Sequence, residues 1–361
     1  MTFSEQITQA AKQAALGAGF DLAGIAPVRK EDLPEIAAFI QWVDEGRAGE
    51  MKYMEARTES SELRRASALN AAPWVRSIVV CAVNYSAGKP YSVEAHDVER
   101  GWISRYAWGA KDYHDALLPR LRQVEAAIRQ LAEQSGITIE TRSYVDTGPI
   151  LERVYARHAG IGWIGKNTCV IHQKLGSWLF LGVVLTSLDL PMDAPAPDRC
   201  GSCTRCIDAC PTGAIIEPGK LDARLCIAYL TIEKRGSIPE ELRSAMGHHI
   251  FGCDICQDVC PWNNKAGNVP AAAWPEFQPQ EQIYHPELRR LAQMDEESYR
   301  RTFRGSPVKR AKYQGLRRNT AIAMGNSGNK SFIADLQKLA ADPDPVVAEH
   351  AAWALKKLSE K

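Results

Sequence analysis

With 361 residues, 45% of them hydrophobic and 24% charged, the chain has the composition of a folded globular protein with room for two or three domains. Its net charge of +1 excludes recognition of a polyanion by bulk charge, so such a partner would have to be met by a local patch. No run reaches the ~18 apolar residues of a membrane span, and the start, Met1-Thr2-Phe3-Ser4-Glu5-Gln6, lacks a basic region, an apolar region and a twin arginine, which predicts a cytoplasmic protein.

In chain order, residues 4–19 read as a helix, Asp21 to Val28 as a short strand and residues 31–46 as a second helix. Arg76 to Asn84 is an apolar run rich in β-branched residues, which predicts a buried strand. Residues 112–135 carry helical periodicity without a break. Ile137 to Val145 reads as a strand, with Pro149 opening the next helix. Trp178 to Thr186 predicts another buried strand. This mixture predicts an α/β or α+β domain over the first half. Leu190 to Pro197 has three prolines and no periodicity, so it reads as a linker. A loop-like stretch follows Trp262 to about Tyr284, and the remainder is helical. Arg318 to Met324 can be laid on Glu349 to Leu355, with Asp342-Pro343-Asp344-Pro345 as a stop and cap before the second helix. The pattern fits either a pair of HEAT-type repeats or two unrelated amphipathic helices.

Ten cysteines in a cytoplasmic chain point to metal or redox chemistry rather than disulfides. Cys200-x2-Cys203-x2-Cys206-x3-Cys210-Pro211 has the bacterial ferredoxin spacing, in which the fourth cysteine ligates the other of two clusters. The second run, Cys253-x2-Cys256-x3-Cys260-Pro261, lacks a first member, which Cys226 can supply. One [4Fe–4S] cluster then uses Cys200, Cys203, Cys206 and Cys260, and the other Cys226, Cys253, Cys256 and Cys210. Zinc is a poor alternative, because its sites favour paired C-x2-C hooks. Cys81 reads as a small buried hydrophobe. Cys169 receives no role. No G-x-G-x-x-G opens a helix after a strand, so no nicotinamide or flavin fingerprint is present.

Several motifs together resemble one family. They are Arg105-Tyr106-Ala107-Trp108-Gly109 with Asp112-Tyr113-His114, Tyr144 to Arg153, Ala159 to Asn167, Gly176-Ser177-Trp178, and Phe251 to Cys256. In order and content they resemble epoxyqueuosine reductase. The resemblance implies a cobalamin-binding domain akin to that of reductive dehalogenases, two [4Fe–4S] clusters and tRNA as partner. It implies reduction of epoxyqueuosine to queuosine at the wobble position, with electrons passed through the clusters to cobalamin. It puts the catalytic acid on Asp146 and an active-site arginine on Arg153. Cobalamin contacts fall on Asp146, Ser104, Val170, Leu181, Ala228, Cys253, Asp254 and an arginine near Arg65, with Arg57 and Arg64 as alternative registers. Asn70-Ala71-Ala72-Pro73-Trp74 departs from the family pattern just after that arginine. The implied architecture is α+β: an α/β cobalamin domain (1–190), a ferredoxin-like segment (191–265) and an all-α HEAT-like tail (266–361).

Two other readings stand beside this one, a reductive dehalogenase and a non-enzymatic electron carrier. From the residues alone, Asp146 in Asp-Thr-Gly-Pro also reads as a turn and helix cap. Arg153 also reads as a solvated helix residue, and His114 as structural rather than as a cobalt ligand. Arg300, Arg301, Arg304, Lys309, Arg310, Lys312, Arg317 and Arg318 form a basic run without an acidic residue. It predicts phosphate binding, with Arg310, Lys312, Arg317 and Arg318 as tRNA contacts. The chain is expected to be a monomer that takes electrons from an external low-potential reductant.

Overall fold

The structure is a computed structural model that describes residues 2–28, 33–88, 90–263 and 271–360. Helix α1 (Phe3–Gly17) starts from a capping box in which Thr2 and Glu5 bond each other's backbone N–H. Strand β1 (Leu22–Pro27) follows, then α2 (Pro34–Asp44), α3 (Ala68–Ala71) and β2 (Ser77–Asn84). The first two positions of the helix expected over 31–46 lie outside the described residues. Next come β3 (Trp102–Ile103), α4 (Tyr113–Gln134), β4 (Thr141–Tyr144), α5 (Glu152–His158), β5 (Trp163–Ile164), β6 (Val170–Ile171) and β7 (Leu179–Thr186).

Four strands form one sheet in the order β1-β2-β7-β4, and every pairing in it is antiparallel. This corrects the expected α/β character of the first segment. An apolar, β-branched strand is buried on both faces, and its sequence does not carry its direction. Alternation along β2 splits the core. Val79, Cys81 and Val83 face α1 and α4, whereas Ile78, Val80 and Ala82 face α3 and α5. Gly182 allows α4 to cross β7 closely, since a Cβ there would lie 2.5 Å from Leu121 Cδ1. Pro119 lies inside α4, so the stretch was not free of breakers. The helix runs through it, forgoing the bond that its missing N–H would have made. β4 is shorter than expected, because Gly136 turns the chain out of α4 and leaves Ile137 exposed.

The proline-rich stretch after β7 is not a free tether. Asp193 accepts from Ile25 N at 2.7 Å, donates its own N–H to Ile25 O at 3.0 Å and pairs with Lys12. It thereby covers the outer edge of β1. The cysteine-rich segment contains α6 (Arg205–Asp208), β8 (Ile215–Glu217), β9 (Lys220–Leu221), α7 (Ile227–Ile232), α8 (Glu240–Arg243), β10 (His249–Phe251) and α9 (Ile255–Asp258). β10 pairs in parallel with β3, tying this segment to the first.

The tail holds α10 (Leu288–Ala292), α11 (Glu296–Thr302), α12 (Lys312–Ser327), α13 (Ile333–Ala340) and α14 (Pro345–Ser359). Part of the loop expected after Trp262 lies outside the described residues. Asp344 caps α14 by accepting from Val346 N and Val347 N, with Pro345 in the first turn. α12 and α14 pack so closely that a Cβ on Gly325 would lie 2.8 Å from Ala354 Cα. One hydrophobic core joins Trp102, Ile103 and Trp108 to Phe251 and to Phe303, Met324 and Leu336, so it draws on all three segments. Among the described residues no helix is long and apolar enough to cross a membrane.

Candidate active site between the sheet and the cluster loops

The loop leaving β4 carries Asp146 in the left-handed region, at φ 55°. This turns the carboxylate away from its own chain and toward the start of α4. Tyr113 Oη donates to Asp146 Oδ2 at 2.8 Å, and His114 Nε2 lies 3.6 Å from the same oxygen. His114 Nδ1 in turn meets Asp112 Oδ1 at 2.7 Å, and Lys309 Nζ lies 3.4 Å from Asp112 Oδ2. The Asp146 side chain is 67% exposed, while protein around it still opposes its charge, as expected for a carboxylate in a recess. Helix α5 begins only at Glu152, its cap position is Leu151, and no side chain caps it. Pro149 therefore does not open the helix and Asp146 is not its cap, because the residues between form a separate turn.

The electrostatics follow from these contacts. Burial pushes the Asp146 carboxyl up, but the facing His114 imidazole, the Tyr113 hydrogen bond and the charge of Arg153 outweigh it and leave its pKa below the usual value. Burial lowers the His114 pKa, while the two flanking carboxylates raise it further, to about 9. The pair therefore holds its proton on the imidazole at neutral pH. Glu152 stands nearby with Oε1 buried and unpaired. Burial, followed by the charge of Asp146, raises its pKa to about 7.

Of the three candidate arginines, Arg65 meets this loop, donating to Ile150 O at 3.0 Å and to Asp146 O at 3.5 Å. Arg57 instead bonds Ser61 O and lies 3.8 Å from Asp44, and Arg64 is exposed. Arg153 donates to Thr168 O at 3.1 Å and acts on Asp146 through its charge. Val170 and Leu181 belong to the same sheet face as Ile150. A second wall forms around Ser104. Its N–H donates to Phe251 O at 2.7 Å, and a Cβ on Gly252 would lie 2.4 Å from Ser104 Cβ. Gly252 N donates to Thr231 Oγ1, on the helix that carries Ala228. The Asp254 carboxylate is wholly internal, accepting from Trp102 Nε1, Ser104 Oγ and Arg105 N. The Cys169 thiol lies beside that of Cys256, in the second ligand group.

The cysteines fall into two groups. Cys200, Cys203, Cys206 and Cys260 line one cavity together with Lys166, Asn167 and Arg205. Cys226 and Cys253 share a small core, and the charges of Cys210, Cys226 and Cys253 act on one another and on Cys256. Among the described residues no three His, Cys, Asp or Glu side chains are placed to hold a single metal ion. The first four thiols surround a space instead, which is the arrangement a cubane needs. Cys81 is fully buried in β2, and burial pushes its thiol up to about 12.

The basic run is reordered by the fold. Arg318 is 1% exposed and donates to Leu230 O, Lys234 O and Gly236 O, so it is a core residue and not a tRNA contact. Arg317 is mostly buried against Asp342. Arg310 is exposed and paired with Glu233 at 3.0 Å. Its guanidinium and that of Arg65 lie 5.7 and 5.8 Å from the Tyr53 ring centroid, beside the Asp146 loop. Lys312, Arg304, Arg301 and Arg300 are exposed. Sequence reasoning missed Tyr53, Tyr113 and Glu152 and treated His114 as structural. The Asp112-Tyr113-His114 triplet was the available signal.

Comparisons with known proteins agree with this geometry. The family model described as "4Fe-4S double cluster binding domain" matches residues 199–263, and "Epoxyqueuosine reductase QueG, DUF1730" matches residues 65–147. The epoxyqueuosine reductase of Xanthomonas campestris is 40% identical over 344 residues, 94% of this chain and 92% of that protein. The one from Escherichia coli is 36% identical over 358 residues, 99% of this chain and 90% of that protein. A crystal structure of epoxyqueuosine reductase with an epoxyqueuosine-modified tRNA-Tyr stem loop matches with TM-score 0.86 at 32% identity, over 98% of this chain and 90% of that one. The Bacillus subtilis epoxyqueuosine reductase, in a structure with its catalytic loop swung out of the active site, matches with TM-score 0.84 at 30% identity over the same shares. With an antiparallel sheet beside a double-cluster segment and similarity to these enzymes over nearly its whole length, the chain belongs to the epoxyqueuosine reductase family.

Proposed function

We propose that the chain reduces the epoxide of epoxyqueuosine in a tRNA anticodon to the alkene of queuosine. Two electrons and two protons enter, and the epoxide oxygen leaves as water. The observation that carries this reading is Asp146, a carboxylate in an open recess with a protonated imidazole 3.6 Å behind it. His114 is the proton store. Asp146 receives its proton and passes it to the epoxide oxygen as the C–O bond breaks, and the Tyr113 hydroxyl fixes which Asp146 oxygen faces His114. Asp112 holds the imidazole in place and favours its charged form.

We assign two [4Fe–4S] clusters to the two cysteine groups and cobalamin to the recess. When bound, the clusters relay single electrons from an external low-potential reductant and cobalamin delivers them to the substrate. The residues assigned to it suit a broad, flat ring, because they offer backbone at Gly252, the small side chain of Ala228 and the apolar Val170 and Leu181. Ser104 and Asp254 would contact it through backbone, since their side chains are bonded to each other. Cys253 would serve both groups, with its thiol on iron and its backbone on the ring. Arg65 and Arg153 hold the loop and the Thr168 turn that border the recess.

On the tRNA side, Arg310 and Lys312 of the expected set are exposed, and Arg300, Arg301, Arg304 and Lys309 take the place of the largely buried Arg317 and the buried Arg318. A tRNA substrate puts the reaction in the cytoplasm, and we read the protein as a monomer. The tail is read as a HEAT-type pair on the packing of α12 against α14, and the segments 1–190, 191–265 and 266–361 as its functional divisions.

The test is anaerobic turnover of epoxyqueuosine-containing tRNA with cobalamin and reductant, followed by nucleoside mass spectrometry. Queuosine should form. Asp146→Asn should lower the single-turnover rate by roughly 10²–10⁴ with unchanged melting and cofactor spectra. Near wild-type turnover with a lower melting temperature would instead make Asp146 structural.

A further inference from the structure

The Trp163–Asn167 stretch lies outside the cysteine-rich segment, yet it touches both cluster loops. Trp163 Nε1 donates to Cys200 Sγ at 3.4 Å, and its ring packs with Cys200, Cys260 and Trp262. Lys166 Nζ donates to Gly201 O at 2.7 Å and Cys203 O at 2.9 Å, clamping the loop that carries three ligands of the first cluster. Lys166 also lines the cavity those ligands surround. Asn167 Nδ2 reaches Cys256 O at 3.3 Å in the second ligand group. The pairing of β5 with β6 holds the start of this stretch against Val170 and Ile171.

We propose that Trp163 and Lys166 are positioning residues that set the reduction potential of the first cluster independently of the second. The proposal rests on the assignment of a [4Fe–4S] cluster to Cys200, Cys203, Cys206 and Cys260. Reduction adds one electron to a cluster that is already anionic with its four thiolates. An N–H donated to a ligand sulfur and an ammonium at the cavity wall both favour the more negative state, so both raise the potential. The second ligand group has other contacts: Ala214 N donates to Cys210 Sγ at 3.3 Å, and the neutral Asn167 amide bonds a backbone carbonyl. Trp163 and Lys166 therefore act on the first cluster through contacts that the second does not share.

The experiment is an EPR-monitored redox titration of the anaerobically reconstituted full chain, with the first cluster's signal identified by its loss in Cys203→Ala. Iron and sulfide analysis of the wild type tests the cluster assignment separately. Trp163→Phe keeps an aromatic ring and removes the N–H, and Lys166→Met keeps an unbranched apolar stem and removes the charge. Each should shift the first cluster's midpoint to more negative values and leave the second unchanged, and the double variant should shift it further. Lys166→Arg should restore the wild-type midpoint. An unshifted midpoint in Trp163→Phe and Lys166→Met, or equal shifts in both clusters, would overturn the proposal. Should Lys166→Met fail to hold the first cluster, Trp163→Phe decides alone by the same criterion.

Discussion

At the scale of single residues, the proton on His114 governs how the site responds to pH. Its folded pKa, about 9, lies above the ordinary value of 6.5, so folding favours the protonated form. The stabilisation it contributes is complete below about pH 6.5 and disappears as pH rises through about 9. Melting temperature should therefore fall over that window in the wild type and less in His114→Gln, as read by calorimetry at a series of pH values. Turnover should decline over the same alkaline limb, and His114→Gln should be slower by roughly 10² with that limb missing. A variant with the wild-type pH profile would place the proton store elsewhere. Asp146 was legible through the motif that surrounds it. His114 was not, because Asp-Tyr-His at a helix start has the form of a cap, and Asp112 does cap α4. Only tertiary structure brings the first turn of α4 to the loop after β4.

Among the elements, the cysteine loops and the buried strands were the most readable, for opposite reasons. Ligand spacing is local, so the ferredoxin run announces itself. The strands β2 and β7 announce burial through their β-branched residues, but direction and order depend on distant partners, and the expected α/β sheet proved antiparallel. The stretch after β7 reads as a linker from its prolines, and in the fold Asp193 fastens it to β1. Cys226 belongs to α7's cap position rather than to either ferredoxin run. Cys226→Ala should consequently lose the second cluster and keep the first, so that iron falls from about eight to about four atoms per chain. Retention of both clusters would break the proposed crossing of ligands.

For the whole molecule, the basic tail divides into a buried and an exposed part that composition alone could not separate. A run of arginines reads as surface until the fold supplies backbone carbonyls to receive one of them. Arg318→Ala should destabilise the protein by on the order of 3 kcal/mol in denaturant unfolding, because buried carbonyls would lose their donor. Reversing Arg304 and Lys312 to Glu should leave melting unchanged, weaken tRNA binding and flatten its dependence on salt. Unaltered affinity in that variant would remove this face from the substrate surface. The Arg318 anchor also bears on how the protein is made. The carbonyls of Leu230, Lys234 and Gly236 stand just beyond Cys226 in the chain, and their donor is supplied by α12. During synthesis, these carbonyls cannot receive their donor until residues 312–327 have left the ribosome and folded back.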